Sequence, residues 1–88
     1  MKAQRAGDGW TCEVEVATDG DRTRHTVTVA RADLERWGNG TDSDAVVDLV
    51  RRSFDFLLER EPPGSILRSF QLSVIQTYFP DYDQHFKR

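Results

Sequence analysis

Two runs of alternating residues meet at Asp19-Gly20, and no other feature of the chain constrains its fold as tightly. Before the turn, Trp10, Cys12, Val14 and Val16 alternate with Thr11, Glu13, Glu15 and Ala17. After it, His25, Val27 and Val29 alternate with Arg24, Thr26 and Thr28. Period-two alternation on both sides of an Asp-Gly pair predicts an antiparallel hairpin, about 10–18 and 22–30. A two-residue loop pairs residues whose numbers sum to 39. Val14 then faces His25, Cys12 faces Val27 and Trp10 faces Val29, while Glu15 meets Arg24 on the other side. A slip of one residue would turn every apolar side chain to the wrong face, so the pattern specifies its own register.

A lone hairpin is marginal in water, so its apolar face needs a cover. Residues 31–37, with Leu34 and Trp37 three apart, predict a short helix ended by Gly38-Asn39-Gly40. Thr41-Asp42-Ser43-Asp44 supplies an N-terminal cap for a long helix, about 44–60. Along it Val46, Val47, Leu49, Val50, Phe54, Leu57 and Leu58 recur at spacings of three and four. Pro62-Pro63-Gly64 stops this helix. Beyond the stop, Ser65–Phe70 reads as one helical turn, and Ser73 with Gln76 has the spacing of a capping box for a short helix through Tyr78 or Phe79. Pro80 suits the first turn of a last helix reaching about His85. The prediction is an α+β fold with one small domain over residues 10–88, behind a polar, glycine-containing flexible lead-in at 1–9. Phe54, Leu57, Leu58, Ile66, Leu67, Phe70, Leu72, Ile75 and Phe79 are expected to close the core over the hairpin, with Tyr82 nearer the surface.

Composition narrows the function. With 88 residues there is room for one domain. Fifteen acidic against twelve basic residues give a net charge of −3, spread over both halves, which supplies no bulk attraction to nucleic acid or anionic membrane. No apolar run approaches the roughly 20 residues of a membrane helix. The opening Met1-Lys2-Ala3-Gln4-Arg5 lacks the apolar stretch of an export signal, so a cytoplasmic location is expected. The single cysteine, Cys12, rules out an internal disulfide or a multi-cysteine zinc site.

Few constellations could carry chemistry. Cys12 and His25 fall on one face of the hairpin as diagonal neighbours, about 7–8 Å apart at the backbone. A nucleophile and base need closer contact and an oxyanion site, whereas a buried cysteine is a common packing residue. Asp81, Asp83 and His85 cluster near the C-terminus but do not make a set of four metal ligands. Asp42, Asp44 and Asp48 lack the glycine and closing glutamate of a calcium loop and are better explained as helix-capping acids. The helix, Gly-Asn-Gly turn and second helix have helix-turn-helix spacing, yet the second helix opens with Asp42-Ser43-Asp44, which would repel phosphate. Protein binding survives best. Five of the nine aromatics lie between Phe70 and Phe86. Tyr78, Tyr82 and Phe86, with Asp81 and Asp83 among them, form a candidate interaction surface, although the same cluster could be core.

The stretch Phe54-Asp55-Phe56-Leu57-Leu58-Glu59-Arg60-Glu61-Pro62, then Ser65-Ile66-Leu67-Arg68-Ser69-Phe70, Val74-Ile75 and Tyr78-Phe79-Pro80, resembles short uncharacterised bacterial proteins, a domain of unknown function. The resemblance covers residues about 45–83. It implies a small cytoplasmic α+β protein and brings no activity, cofactor or catalytic residue. The expectation is therefore a non-enzymatic protein-interaction module with no cofactor, binding an unidentified protein or a second copy of itself. An antitoxin-like, nucleic-acid-associated regulator and a small enzyme are the alternatives.

Overall fold

The computed structural model describes residues 2–18 and 20–86. Asp19, one of the two predicted turn residues, lies outside them. The fold is α+β, a four-stranded sheet with helices packed on one face. The predicted hairpin is strands β2 (Gly9–Thr18) and β3 (Asp21–Val29), paired antiparallel with Val14 opposite His25, Cys12 opposite Val27 and Trp10 opposite Val29. Cys12, Val14, Val16, His25, Val27 and Val29 are buried, while Glu13, Glu15 and Arg24 are exposed on the other face.

The lead-in is not a loose segment over its described residues. Lys2–Ala6 forms strand β1, antiparallel to β2, with Ala3 packed against the core. The turn between them places Gly7 at φ 59°, and Gly20 in the next turn sits at φ 81°; both lie in the left-handed region that glycine reaches without steric cost. The strand was hidden because four of its five residues are exposed, so it carries no apolar alternation.

Helix α1 (Arg31–Trp37) buries Leu34 and Trp37. Helix α2 (Ser43–Leu58) starts where Asp42 Oδ1 accepts the Ala45 N–H at 2.9 Å. It buries Val46, Leu49, Val50, Phe54, Phe56 and Leu57, whereas Leu58, expected inside, is exposed. Pro63–Ser65 makes a 3₁₀ turn, but the helical turn expected through Phe70 gives way to strand β4 (Ser69–Gln71). β4 lies parallel to β3 opposite Thr26, Val27 and Thr28. The crossover between these parallel strands is the α1–α2 pair, which lays both helices over the sheet.

Helix α3 (Val74–Tyr78) forms without the expected capping box: Ser73 is already helical, at φ −62° and ψ −18°, and its side chain caps nothing. Helix α4 (Tyr82–Phe86) begins two residues beyond Pro80. Tyr82, expected near the surface, is fully buried, as is most of Phe86. Both belong to the one cluster that joins the inner sheet face to all four helices. Phe79 is half-buried at its margin, and Leu67 stands outside it.

Candidate functional site

The predicted surface residues separate into two groups. Tyr82 reaches across to α2, where its hydroxyl lies 2.6 Å from Ser53 Oγ. Ser53 has one proton and gives it to the Leu49 carbonyl at 2.7 Å, so the tyrosine is the donor. The ring stacks on Phe86 at 4.4 Å and meets Trp37 and Phe56 edge-on at 5.0 and 5.3 Å. Burial pushes the Tyr82 phenol up to about 12, because a phenolate would lose its hydration there. The Ser53 hydroxyl, which could turn its proton toward a phenolate, and the Arg52 charge offset part of that rise.

The acids beside Tyr82 are anchors for α4. Asp83 accepts the Trp37 Nε1–H at 2.8 Å and pairs with Arg36 at 3.1 Å. Asp81 pairs with Arg60 at 3.0 Å and lies 3.7 Å from His85 Nε2. The Arg60 guanidinium lies 3.6 Å over the Phe56 ring and donates to the Phe56 carbonyl. Asp81 is still exposed, but both Asp81 and Asp83 are engaged within the molecule.

Tyr78 alone of the three aromatics faces solvent, with 66% of its surface exposed. It lines a groove of about 370 Å³ between the end of α2, the segment leading into β4, and α3. The buried lining is Leu57, Ile66, Phe70 and Ile75; the more exposed lining is Leu67, Val74, Tyr78 and Phe79. Glu61 is the one charged residue of the lining and makes no ion pair among the described residues. Leu67 is 48% exposed, so the two most exposed large hydrophobic residues of the described chain meet in this groove. The sequence reading placed Leu67 in the core and missed the groove. Leu67 lies two residues before β4, whose alternation is too short to show which way its neighbours turn.

The other constellations resolve as follows. Cys12 is wholly buried, and burial pushes its thiol up, away from the reactive thiolate. His25 Nδ1 lies 2.8 Å from the Leu67 carbonyl, which can only accept, so Nδ1 carries a proton. Its Nε2 lies 2.9 Å from Thr23 Oγ1, and both ring nitrogens are occupied. The histidine thus ties β3 to the segment entering β4. Among the described residues no three His, Cys, Asp or Glu side chains are grouped to hold a metal ion. Nor is any described helix long and apolar enough to cross a membrane. Comparison with family models, curated proteins and solved structures finds no match for this chain.

Proposed function

We propose that this chain is a non-enzymatic protein-interaction module whose contact surface is the apolar groove between α2, β4 and α3. The observation that carries the reading is the coincidence of the two most exposed large hydrophobics, Leu67 and Tyr78, with a concave, largely apolar lining. Exposed apolar concavities of this kind mark contact sites, because covering them removes apolar surface from water. A buried Cys12 whose thiol is pushed up, away from thiolate, and a His25 with both nitrogens engaged speak against the Cys12–His25 nucleophile–base pair that the sequence offers, which supports the non-enzymatic half of the reading.

The occupant is a partner protein that inserts an apolar side chain, with a basic residue beside it to meet Glu61. A photo-activated cross-linker at position 78, with position 84 on α4 as the comparison, tests this in the native host. The expected result is one protein captured from position 78 and not from position 84. Binding of that purified protein should weaken by about tenfold or more on Leu67→Ala or Tyr78→Ala, as for other interface anchors. Equal capture at both positions, or binding indifferent to both substitutions, would overturn the reading.

A further inference from the structure

The sheet has a second contact feature, remote in kind from the groove. β4 covers only part of the β3 edge, opposite Thr26, Val27 and Thr28. Thr26 donates its N–H to the Arg68 carbonyl at 2.7 Å, and the Thr28 carbonyl receives the Leu72 N–H at 2.8 Å. The even-numbered residues of β3 therefore aim their main-chain groups toward β4. The two-residue period of a strand aims those of Arg22 and Arg24 the same way, where β4 has no residue opposite them. Beside this free edge lies a cleft of about 320 Å³ lined by Arg22, Thr23, Arg24 and Arg68.

The cleft is strongly one-signed. Among the described residues Glu15 is the one carboxylate that pairs with its arginines, 3.7 Å from Arg22 and 3.4 Å from Arg24. Arg68 makes no ion pair among the described residues. Three guanidiniums against one paired carboxylate leave excess positive charge beside N–H and C=O groups that no described residue pairs. A second copy docked edge to edge about a two-fold axis would set these arginines against their own counterparts, so like charge guards the edge against self-pairing. The same charge favours an acidic chain.

We propose that the free edge of β3 takes up an acidic, extended peptide segment as an added strand, with carboxylates at alternate positions opposite Arg22 and Arg24. Alternation follows from the strand itself, since residues two apart share a face. Main-chain bonds to Arg22 and Arg24 hold the segment, and guanidinium–carboxylate pairs select it. Arg68 meets the end of the segment where β4 begins.

The test is titration of a labelled, end-blocked seven-residue peptide alternating glutamate with valine, followed by fluorescence anisotropy, with amide hydrogen exchange on the protein. Three controls accompany it: the lysine-for-glutamate peptide, a version methylated on alternate amide nitrogens, and a single-stranded oligonucleotide of equal charge. Expected are saturable binding of the acidic peptide and slowed exchange at Arg22 and Arg24. Arg24→Gln with Arg68→Gln should weaken binding by about tenfold or more, the scale of losing charged hydrogen bonds. Methylation in the bonding register should weaken it likewise. All three arginines are exposed, so the glutamine variant should fold, and a thermal melt is run to check it. Absence of saturable binding, equal binding of the methylated and unmethylated acidic peptides, or tighter binding of the oligonucleotide would overturn the proposal. Leu67→Ala and Tyr78→Ala should leave the peptide affinity unchanged, which separates failure here from failure of the groove.

Discussion

Helices α3 and α4 are each five residues long, each carries a tyrosine, and neither could hold its shape alone. Yet Tyr82 of α4 is fully buried while Tyr78 of α3 is two-thirds exposed. The difference lies in what each hydroxyl can reach. Tyr82 meets Ser53 on α2, and its ring fits among Trp37, Phe56 and Phe86. Tyr78 has no ring contact or side-chain hydrogen bond among the described residues. An aromatic ring gains by burial, but a hydroxyl buried without a partner forfeits much of that gain. Arginines reinforce the contrast. Arg36 grips Asp83 in α4, Arg60 grips Asp81 just before it, and Arg52 lies 5.4 Å over the Phe86 ring. No ion pair fastens α3 among the described residues. One terminal helix therefore completes the core, and the other leaves a groove beside it.

If this contrast is right, Tyr82→Ala is the most damaging change in the tail. Truncating a fully buried aromatic costs about 3–5 kcal/mol, a large share of what a domain this small has. Denaturant unfolding should show that loss, and a cost under about 1 kcal/mol, the size of an ordinary mutation, would mean that α4 is a peripheral flap. Phe79→Ala should cost less, about 1–2 kcal/mol, because Phe79 is half-buried and touches Phe56 edge-on at 6.0 Å from the groove side. Equal losses at the two positions would erase the distinction between the helices.

This ranking reverses the one that the sequence invites, and the reversal marks where local pattern stops informing. The β2–β3 register was legible to the residue, because alternation on both strands and a two-residue turn are independent constraints that agree. The α2 stripe was legible because sixteen residues average over local accidents. β1 was not, since Ala3 is its only inward apolar residue. β4 was not, since three residues with one buried Phe70 carry no period. Tyr82 was misplaced because its partners Ser53 and Trp37 lie 29 and 45 positions away, so nothing within α4 announces them. For the candidate surface, Tyr78 was legible as an exposed aromatic. Leu67 was not, because its direction depends on where the carbonyl of the same residue is caught by His25.

The hydroxyl of Tyr82 can be separated from its ring. Tyr82→Phe keeps the packing and removes one buried hydrogen bond, so the expected cost is about 1 kcal/mol near neutral pH. Ser53 still donates to Leu49 in that variant, so no donor is orphaned. The pH dependence sharpens the point. The folded phenol titrates at about 12 against an ordinary value of 10.0. Being raised, it contributes stability that is complete below pH 10 and is lost as pH climbs toward 12. The parent protein should therefore weaken over that window relative to Tyr82→Phe, by paired denaturant melts at stepped alkaline pH. Parallel curves for the two proteins would show that the hydroxyl is not held in the folded state as described.

The smallest expected effect on stability falls at Tyr78. Its ring is mostly in water and its side chain bonds to nothing described, so Tyr78→Ala removes little that folding gained. Helix propensity even favours alanine slightly at this position. The expected change in unfolding free energy lies within about 0.5 kcal/mol, the range of ordinary surface substitutions. A loss approaching that of Phe79→Ala would make Tyr78 a lid that seals the groove, and the exposed apolar surface would belong to folding. A neutral Tyr78→Ala leaves the residue with no structural reason to be a large aromatic in water. Its place beside Leu67 is then explained by contact with a partner, and the same variant that melts normally should be the one that no longer binds.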